Sequence, residues 1–258
     1  MKNMNVLLLG TLSKKLLVHL GNMKMILSTI VGSRLHGTHT EKSDFDYRGV
    51  FLAPLDEILS PFRDPKETHW IEHNDFKAKL DPEKHLDDTA YELRKFCKMA
   101  AQGNPSVLEV LVGEEYPILT EEGKVLRELL PAFLSQKCYY AFMGYSNNQE
   151  KKFRNPSISN QKGKDVLLKH RKYKYACAHI RTLMQLEHLL KEKELIGTYS
   201  PCGTEYLKQI KQGEVEDYRI MESVFRLEKS CEKLLADTWL PEKPDYEKIE
   251  NFILSCYS

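Results

Sequence analysis

Two short motifs early in the chain have the residue types of a phosphate- and metal-handling site. The first is Gly32-Ser33; the second, ten residues further on, is Asp44-Phe45-Asp46. In an extended strand, side chains two positions apart lie on one face, so Asp44 and Asp46 point together. Two carboxylates held close repel each other unless a cation lies between them. Mg²⁺ is the natural cation, because it is hard, prefers oxygen and is commonly shared with substrate phosphates. Gly32 lets backbone approach a ligand closely, and Ser33 brings a hydroxyl and an N–H beside it. A Gly-Ser turn opening a helix and facing a two-carboxylate strand makes a cradle for a triphosphate and its metal. Each motif alone is commonplace in solvated turns. Their order and spacing, with the apolar run KMILSTIV just ahead of Gly32, carry the reading.

The elements that must hold these residues follow from periodicity. Residues 24–31 are apolar and β-branched and predict a buried strand. Residues 44–53 alternate before turning apolar and predict a second, ended by Pro54. Residues 55–86 are polar, carry Pro61, Pro65 and Pro82, and leave room for one short strand near 68–72. DDTAY, at 87–91, predicts a third strand running into a helix over 92–102. Gly103-Asn104-Pro105 stops that helix and starts another over 106–112. From Glu121 onward helical periodicity dominates. The longest helix is expected at 172–193 and a loop at 194–204. Helices follow at 204–212 and 216–238, and a closing helix starts at Tyr246 after a Pro-containing linker.

The opening residues fit an amphipathic helix with Leu8, Leu12, Leu16 and Leu20 on one face. No run reaches the roughly 18–20 apolar residues that a bilayer span needs. Lys14 and Lys15 also interrupt any signal-peptide core, so the expected location is cytoplasmic, with no membrane partner. Six scattered cysteines without zinc-like spacing predict reduced, mostly buried thiols.

The chain has 258 residues, of which 41% are hydrophobic and 29% charged, enough for a sizeable core and too apolar for a disordered chain. Its net charge of +1 excludes a generally basic DNA-coating protein. That total hides an asymmetry. Residues 137–181 hold eleven Lys or Arg against two acids, a local charge of +9, which leaves −8 for the rest. Tyr139, Tyr140, Phe142, Tyr145, Phe153, Tyr173 and Tyr175 are interleaved with these cations. Basic plus aromatic residues suit a polyanion surface; the plainer account is a solvated helix face over core aromatics. Helical spacing puts Lys174, Ala178 and Arg181 on one face, where they could cover a nucleotide.

The segment VGSRLHGTHTEKSDFDYRGVF resembles the Gly-Ser … Asp-x-Asp signature of the DNA polymerase β-like nucleotidyltransferase superfamily. More narrowly, it resembles a bacterial and phage family of predicted nucleotidyltransferases. Two further blocks extend the likeness. One is YELRKF at 91–96 with Asn104-Pro105 and Glu109. The other is Lys174-Tyr175-Ala176 … His179-Ile180-Arg181, with LPEKPDY near the end. The resemblance runs from about residue 26 through most of the chain.

What the resemblance implies is an α+β fold. A palm of mixed sheet and helices at 1–115 would be followed by a basic α-helical substrate-binding domain at 116–258. The implied reaction is Mg²⁺-dependent transfer of a nucleoside monophosphate from an NTP, ATP among them, with pyrophosphate release. Gly32 and Ser33 would hold the β- and γ-phosphates, and Asp44 and Asp46 would hold two Mg²⁺ ions. A third carboxylate on a neighbouring strand would act as ligand or base. Asp88 is the expected one, ahead of Asp87, which points to the opposite face of the strand, and of Glu109. An Asp at 88 could equally cap the following helix. Arg34, Arg48, Lys174 and Arg181 are the candidate nucleotide-binding cations, with an ion pair to a motif aspartate or to Glu41 as the alternative for the two flanking arginines. His36 and His39 read as loop residues near substrate, Lys95 as a spare cation, and His179 as an interface histidine. The acceptor could be an RNA 3′ end or a small molecule, or a protein hydroxyl, as in an antitoxin-like enzyme that transfers AMP. A non-catalytic nucleic-acid-binding module on the same palm is the rival of another class.

Overall fold

KMILSTIV forms a strand buried along nearly its whole length, because it lies inside a sheet with neighbours on both sides. The computed structural model describes residues 23–41, 43–68, 86–156 and 168–258. The helix expected over Leu8 to Leu20 lies outside them, as do Lys162 and Lys164 of the basic segment and most of the stretch around 68–72. The first half runs β1 (Lys24–Val31), α1 (Gly32–Leu35), β2 (Phe45–Leu52), α2 (Leu55–Leu59), β3 (Glu67–Thr68) and β4 (Leu86–Glu92). It continues through α3 (Leu93–Ala101), α4 (Pro105–Leu108), a 3₁₀ turn (Glu109–Val112) and β5 (Ile118–Leu119). The five-stranded sheet has the order β3-β4-β2-β1-β5. β1 is antiparallel to β2 and β5, whereas β2 and β4 are parallel, so the sheet is mixed.

Local chemistry sets the boundaries. The Glu92 carboxylate accepts from the Lys95 N–H and so starts α3, and Gly103 follows it with a positive φ of 76°. The Asn104 side chain accepts from the Ser106 N–H, and Pro105 occupies the first turn of α4. The helix expected over 106–112 is thus two pieces, an α-turn and a 3₁₀ turn.

The second half is α5 (Glu121–Glu128), α6 (Leu130–Phe133), α7 (Gln136–Arg154), α8 (Leu168–Glu192), α9 (Pro201–Gln212), α10 (Asp217–Ala236) and α11 (Tyr246–Tyr257). α8 packs against α7, α9 and α10. α9 begins earlier than periodicity alone implies, because Ser200 caps it and Pro201 is tolerated in its first turn. No helix among the described residues is long and apolar enough to cross a membrane. The fold is α+β: a mixed sheet with its helices, then a helical layer.

The two faces of the sheet bury different clusters. Val50 and Leu52 join Ile26, Leu27, Leu93 and Phe96 in the main core. Met25, Tyr47, Phe51 and Ala90 form a smaller one on the other face. The main core crosses residue 115 without a break, taking in Phe133 and Phe142, Leu186 and Leu189 of α8, and Phe252 of α11. The aromatics of the basic segment are largely packing residues: Tyr139 and Phe142 join this core, Phe153 is buried in a second cluster with Tyr173 and Tyr175 against it, and Tyr140 is exposed. Cys97, Cys138, Cys177 and Cys231 are buried free thiols. Burial pushes Cys138 up to about 11 and Cys231 up to about 12, which makes them packing residues rather than nucleophiles.

One buried polar pair has a measurable consequence. His179 is fully buried between α7 and α8, and its Nδ1 lies 2.6 Å from Ser146 Oγ. Its Nε2 has no hydrogen-bond partner among the described residues. Burial pulls its pKa down to about 4, so the ring is neutral in the folded protein at pH 7. The unfolded chain binds a proton below the ordinary histidine value, whereas the folded one resists until about pH 4. The stabilisation is therefore present above pH 6.5 and lost as pH falls. Denaturant titrations should show unfolding free energy dropping between pH 7 and pH 4, with about 3 kcal/mol of the drop removed in His179→Leu.

Candidate active site

A glycine is required at position 32 for two reasons. Its φ is +66°, and a Cβ there would stand 2.4 Å from Oδ2 of Asp46. The first turn of α1 and the β2 carboxylate are thus in direct apposition. Val31 precedes α1 without a side-chain cap, so the leading N–H groups of the turn have no side-chain acceptor there. The end of the turn is fastened by backbone: the His36 N–H donates to Gly32 O and the Thr38 N–H to Ser33 O, at 3.2 and 2.8 Å.

Opposite the turn, the register of two parallel strands decides which carboxylates meet. Asp46 of β2 is level with Asp87 of β4, and Tyr47 is level with Asp88. Residues level on neighbouring strands share a face. Asp46 and Asp87 therefore lie on the main-core face, together with Val50 and Tyr91, while Asp88 lies with Tyr47 and Ala90 on the other. This corrects the expected third carboxylate. Asp88 is buried behind the sheet, and Asp87 stands beside Asp46. A sequence signal for this existed: DDTAY alternates, so the choice between the two aspartates was a choice of register.

Asp46 is held above the ordinary carboxylate range. Burial is the main cause, Arg48 works against it, and Asp87 and Asp44 add repulsion. Arg48, two residues on and on the same face, donates from Nη2 to Asp87 Oδ2 at 3.1 Å. It is engaged in an ion pair, with Asp87 rather than with a motif aspartate or Glu41. Arg34 is committed elsewhere too. Its guanidinium donates to the carbonyls of Ser43 and Asp44, at 3.0 and 3.2 Å, and stacks on Phe45, 3.5 Å from the ring centre. Arg34 thus ties the chain ahead of β2, and with it Asp44, to α1.

The helical layer supplies further cations. Lys174 of α8 is exposed and acts on the Asp46 carboxyl. Lys211 of α9 senses the same carboxyl, lies near Lys174, and donates to Thr38 O at 3.0 Å. Burial lowers its pKa. Lys208, one turn earlier, helps depress the pKa of His39, chiefly a burial effect with Arg34 contributing. Lys208 and Lys211 went unremarked in the sequence, where only their i, i+3 spacing on a helix marked them. Lys95 is drawn away to Glu67, at 2.5 Å.

Arg181 departs from expectation. Its side chain is buried and pairs with Glu109 of the 3₁₀ turn. Its Nη1 also donates to His36 Nε2 at 2.5 Å, and Nδ1–H of that neutral ring donates to Gly197 O at 2.7 Å. Burial and then Arg181 keep the His36 pKa low. Burial alone would raise Glu109, but the Arg181 guanidinium holds it down at about 2. Neither Arg181 as a nucleotide contact nor Glu109 as a base fits these partners. Removing one member of such a buried pair costs about 3–5 kcal/mol, because the other charge stays behind.

The donor set suits a hard divalent cation. Asp44, Asp46 and Asp87 offer only oxygen, and the repulsion that Asp87 and Asp44 add to the burial of Asp46 is what a cation relieves. Among the described residues, no three His, Cys, Asp or Glu are gathered into a preformed cluster. The positive charge against Asp87 is that of Arg48.

Comparison with known proteins shows the family. The family described as RlaP, the RNA repair pathway DNA polymerase beta family, matches residues 11–214. Over 89 residues, 34% of this chain, it is 33% identical to an uncharacterized 38.9 kDa protein from the nrdC-mobD intergenic region of Enterobacteria phage T4. That match covers 26% of the phage protein, so the chain spans about a quarter of that relative's length. No solved structure matches. The family match covers well over half of the chain, and the chain belongs to that family of polymerase-β-like nucleotidyltransferases.

The Gly32 apposition makes a sharp prediction. Gly32→Ala should lower pyrophosphate release from NTP by about 100-fold, since a misplacement of about 1 Å near the chemistry has that effect. The melting temperature should fall by no more than a few degrees. Ala at 32 with undiminished release would mean that the turn does not face the reacting groups.

Proposed function

We propose that this nucleotidyltransferase moves a nucleoside monophosphate from an NTP to an RNA 3′ hydroxyl, with divalent metal and release of pyrophosphate. The observation that carries the reading is the juxtaposition of Asp46, Asp87 and the Gly32-Ser33 turn, with Lys174 and Lys211 on the facing helices. In this reading, residues to about 115 hold the chemistry, and the helical remainder presents cations and receives the acceptor.

Asp44 and Asp46 would hold Mg²⁺, which when bound neutralises the triphosphate and lowers the pKa of the attacking hydroxyl. The chain's own residues do the rest. Gly32 leaves room for the phosphates, and Ser33 donates from its hydroxyl and N–H to their oxygens. Lys174 and Lys211 neutralise the β- and γ-phosphates, and the leaving pyrophosphate stays beside them. Arg48 occupies Oδ2 of Asp87, so Oδ1 takes the proton from the acceptor hydroxyl. The acceptor oxygen then bonds to the α-phosphorus as the bond to the β-phosphate oxygen breaks. Lys151 and Lys152 in the last turn of α7 are further cations of the helical layer, and the family's description as an RNA repair pathway supports RNA as the acceptor.

The test uses each α-labelled NTP with Mg²⁺ and either RNA carrying a free 3′ hydroxyl or total protein. Label on RNA supports the proposal. Label on protein alone replaces it with AMP transfer to a partner, and no product with any NTP overturns it. Asp46→Asn and Asp87→Asn should each lower turnover by about 100-fold or more, the scale of lost transition-state charge stabilisation. Asp88→Asn should keep turnover within several-fold and show its cost in melting temperature.

A further inference from the structure

Behind the candidate site, a charged chain runs through the interior where apolar side chains would be easier to pack. Arg181 of α8, Glu109 of the 3₁₀ turn and His36 at the end of α1 are each at least nine-tenths out of solvent, apart from the Arg181 side chain at 12% exposure. Three separate elements meet there, and a fourth is reached through the His36 donation to Gly197 O. Tyr199 closes the chain: its hydroxyl donates to Arg181 O at 3.2 Å, and its ring lies 5.9 Å from that of His36.

His36 is also the residue whose N–H closes α1 onto Gly32 O. Its ring is therefore fixed to the helical layer by Arg181, and its backbone to the Gly-Ser turn. We propose that Arg181, Glu109 and His36 are positioning residues that set the phosphate-holding turn at a fixed distance from the cationic face of α8 and α9. The cations concerned, Lys174 and Lys211, lie on the helices that Arg181 anchors or abuts. Lys174 is two turns before Arg181 on the same helix, so displacing Arg181 moves both sides of the cleft relative to each other.

A buried ion pair adds little net stability over a well-packed apolar pair of similar size. It does hold direction. An N–H fork, a carboxylate and a ring with one donor and one acceptor admit one relative orientation, whereas methylene groups slide. Protonation places the roles: His36 donates from Nδ1 and accepts at Nε2, so it links a carbonyl on one side to a guanidinium on the other.

The inference rests on the nucleotidyl-transfer reading, and the experiment separates the two. The variants are Arg181→Met with Glu109→Leu, together, and His36→Phe and His36→Gln singly. The double variant removes both charges at once and so avoids a stranded one. His36→Phe keeps bulk without either hydrogen bond. Gln offers a donor and an acceptor at a similar separation. Kinetics of pyrophosphate release and hydrogen exchange at the amides of residues 36–38 are read together.

The expected result is a KM for NTP raised about tenfold or more in the double variant and in His36→Phe, with kcat less affected, and recovery toward wild type in His36→Gln. Exchange at residues 36–38 should quicken in the first two and not in the third. Unchanged KM and unchanged exchange in the double variant would overturn the positioning role. If the double variant fails to fold, the Phe and Gln pair decides by the same readouts. A wild-type protein that released no pyrophosphate would end the functional reading, and exchange alone would then test the brace.

Discussion

Everything at this site depends on how closely backbone approaches carboxylate between α1 and β2. An Asp46 carboxylate oxygen lies only 2.4 Å from where a β-carbon of residue 32 would be. That single contact sets the Gly-Ser turn directly against the Asp-x-Asp strand. Gly at 32 also supplies the positive φ that lets β1 turn directly into a helix instead of continuing in the sheet. Arg34 secures the same approach from the far side by gripping the carbonyls of Ser43 and Asp44.

The second layer of organisation is electrostatic compensation. Asp44, Asp46 and Asp87 would repel one another if left alone. Arg48 offsets part of that repulsion within the sheet, and Lys174 and Lys211 offset more from the helices. The carboxylates come from the sheet and the cations from the helical layer, so each needs the other to be correctly placed. Arg181 and Glu109 join the same two parts, with charges matched to each other.

How much of this was legible in the sequence depends on the range over which each residue is determined. The Gly-Ser and Asp-x-Asp motifs and their strands were legible because two-residue and turn geometry are local. The strand expected over 24–31 has the same limits in the structure, and that expected over 44–53 differs by one residue at each end. The choice between Asp87 and Asp88 was not local. It was fixed by which partner β4 took, and parallel pairing with β2 turned Asp87 toward Asp46. Lys208 and Lys211 were invisible for the same kind of reason, since only the packing of α9 brings them to the turn. Arg181 read as a free cation because helical spacing reveals a shared face but not what that face meets. Glu109, read as a runner-up for the third carboxylate, is its partner.

The continuity of the main core across residue 115 bears on how such a protein can change over evolutionary time. Leu93 and Phe96 under the sheet share one apolar cluster with Leu186, Leu189 and Phe252 of the helices. A palm excised on its own would present those side chains to water, and a palm grafted onto a foreign helical half would meet the wrong shapes. The helical half is therefore not a cassette to be exchanged. It must change by surface substitutions on helices whose inner faces are already committed to the shared core.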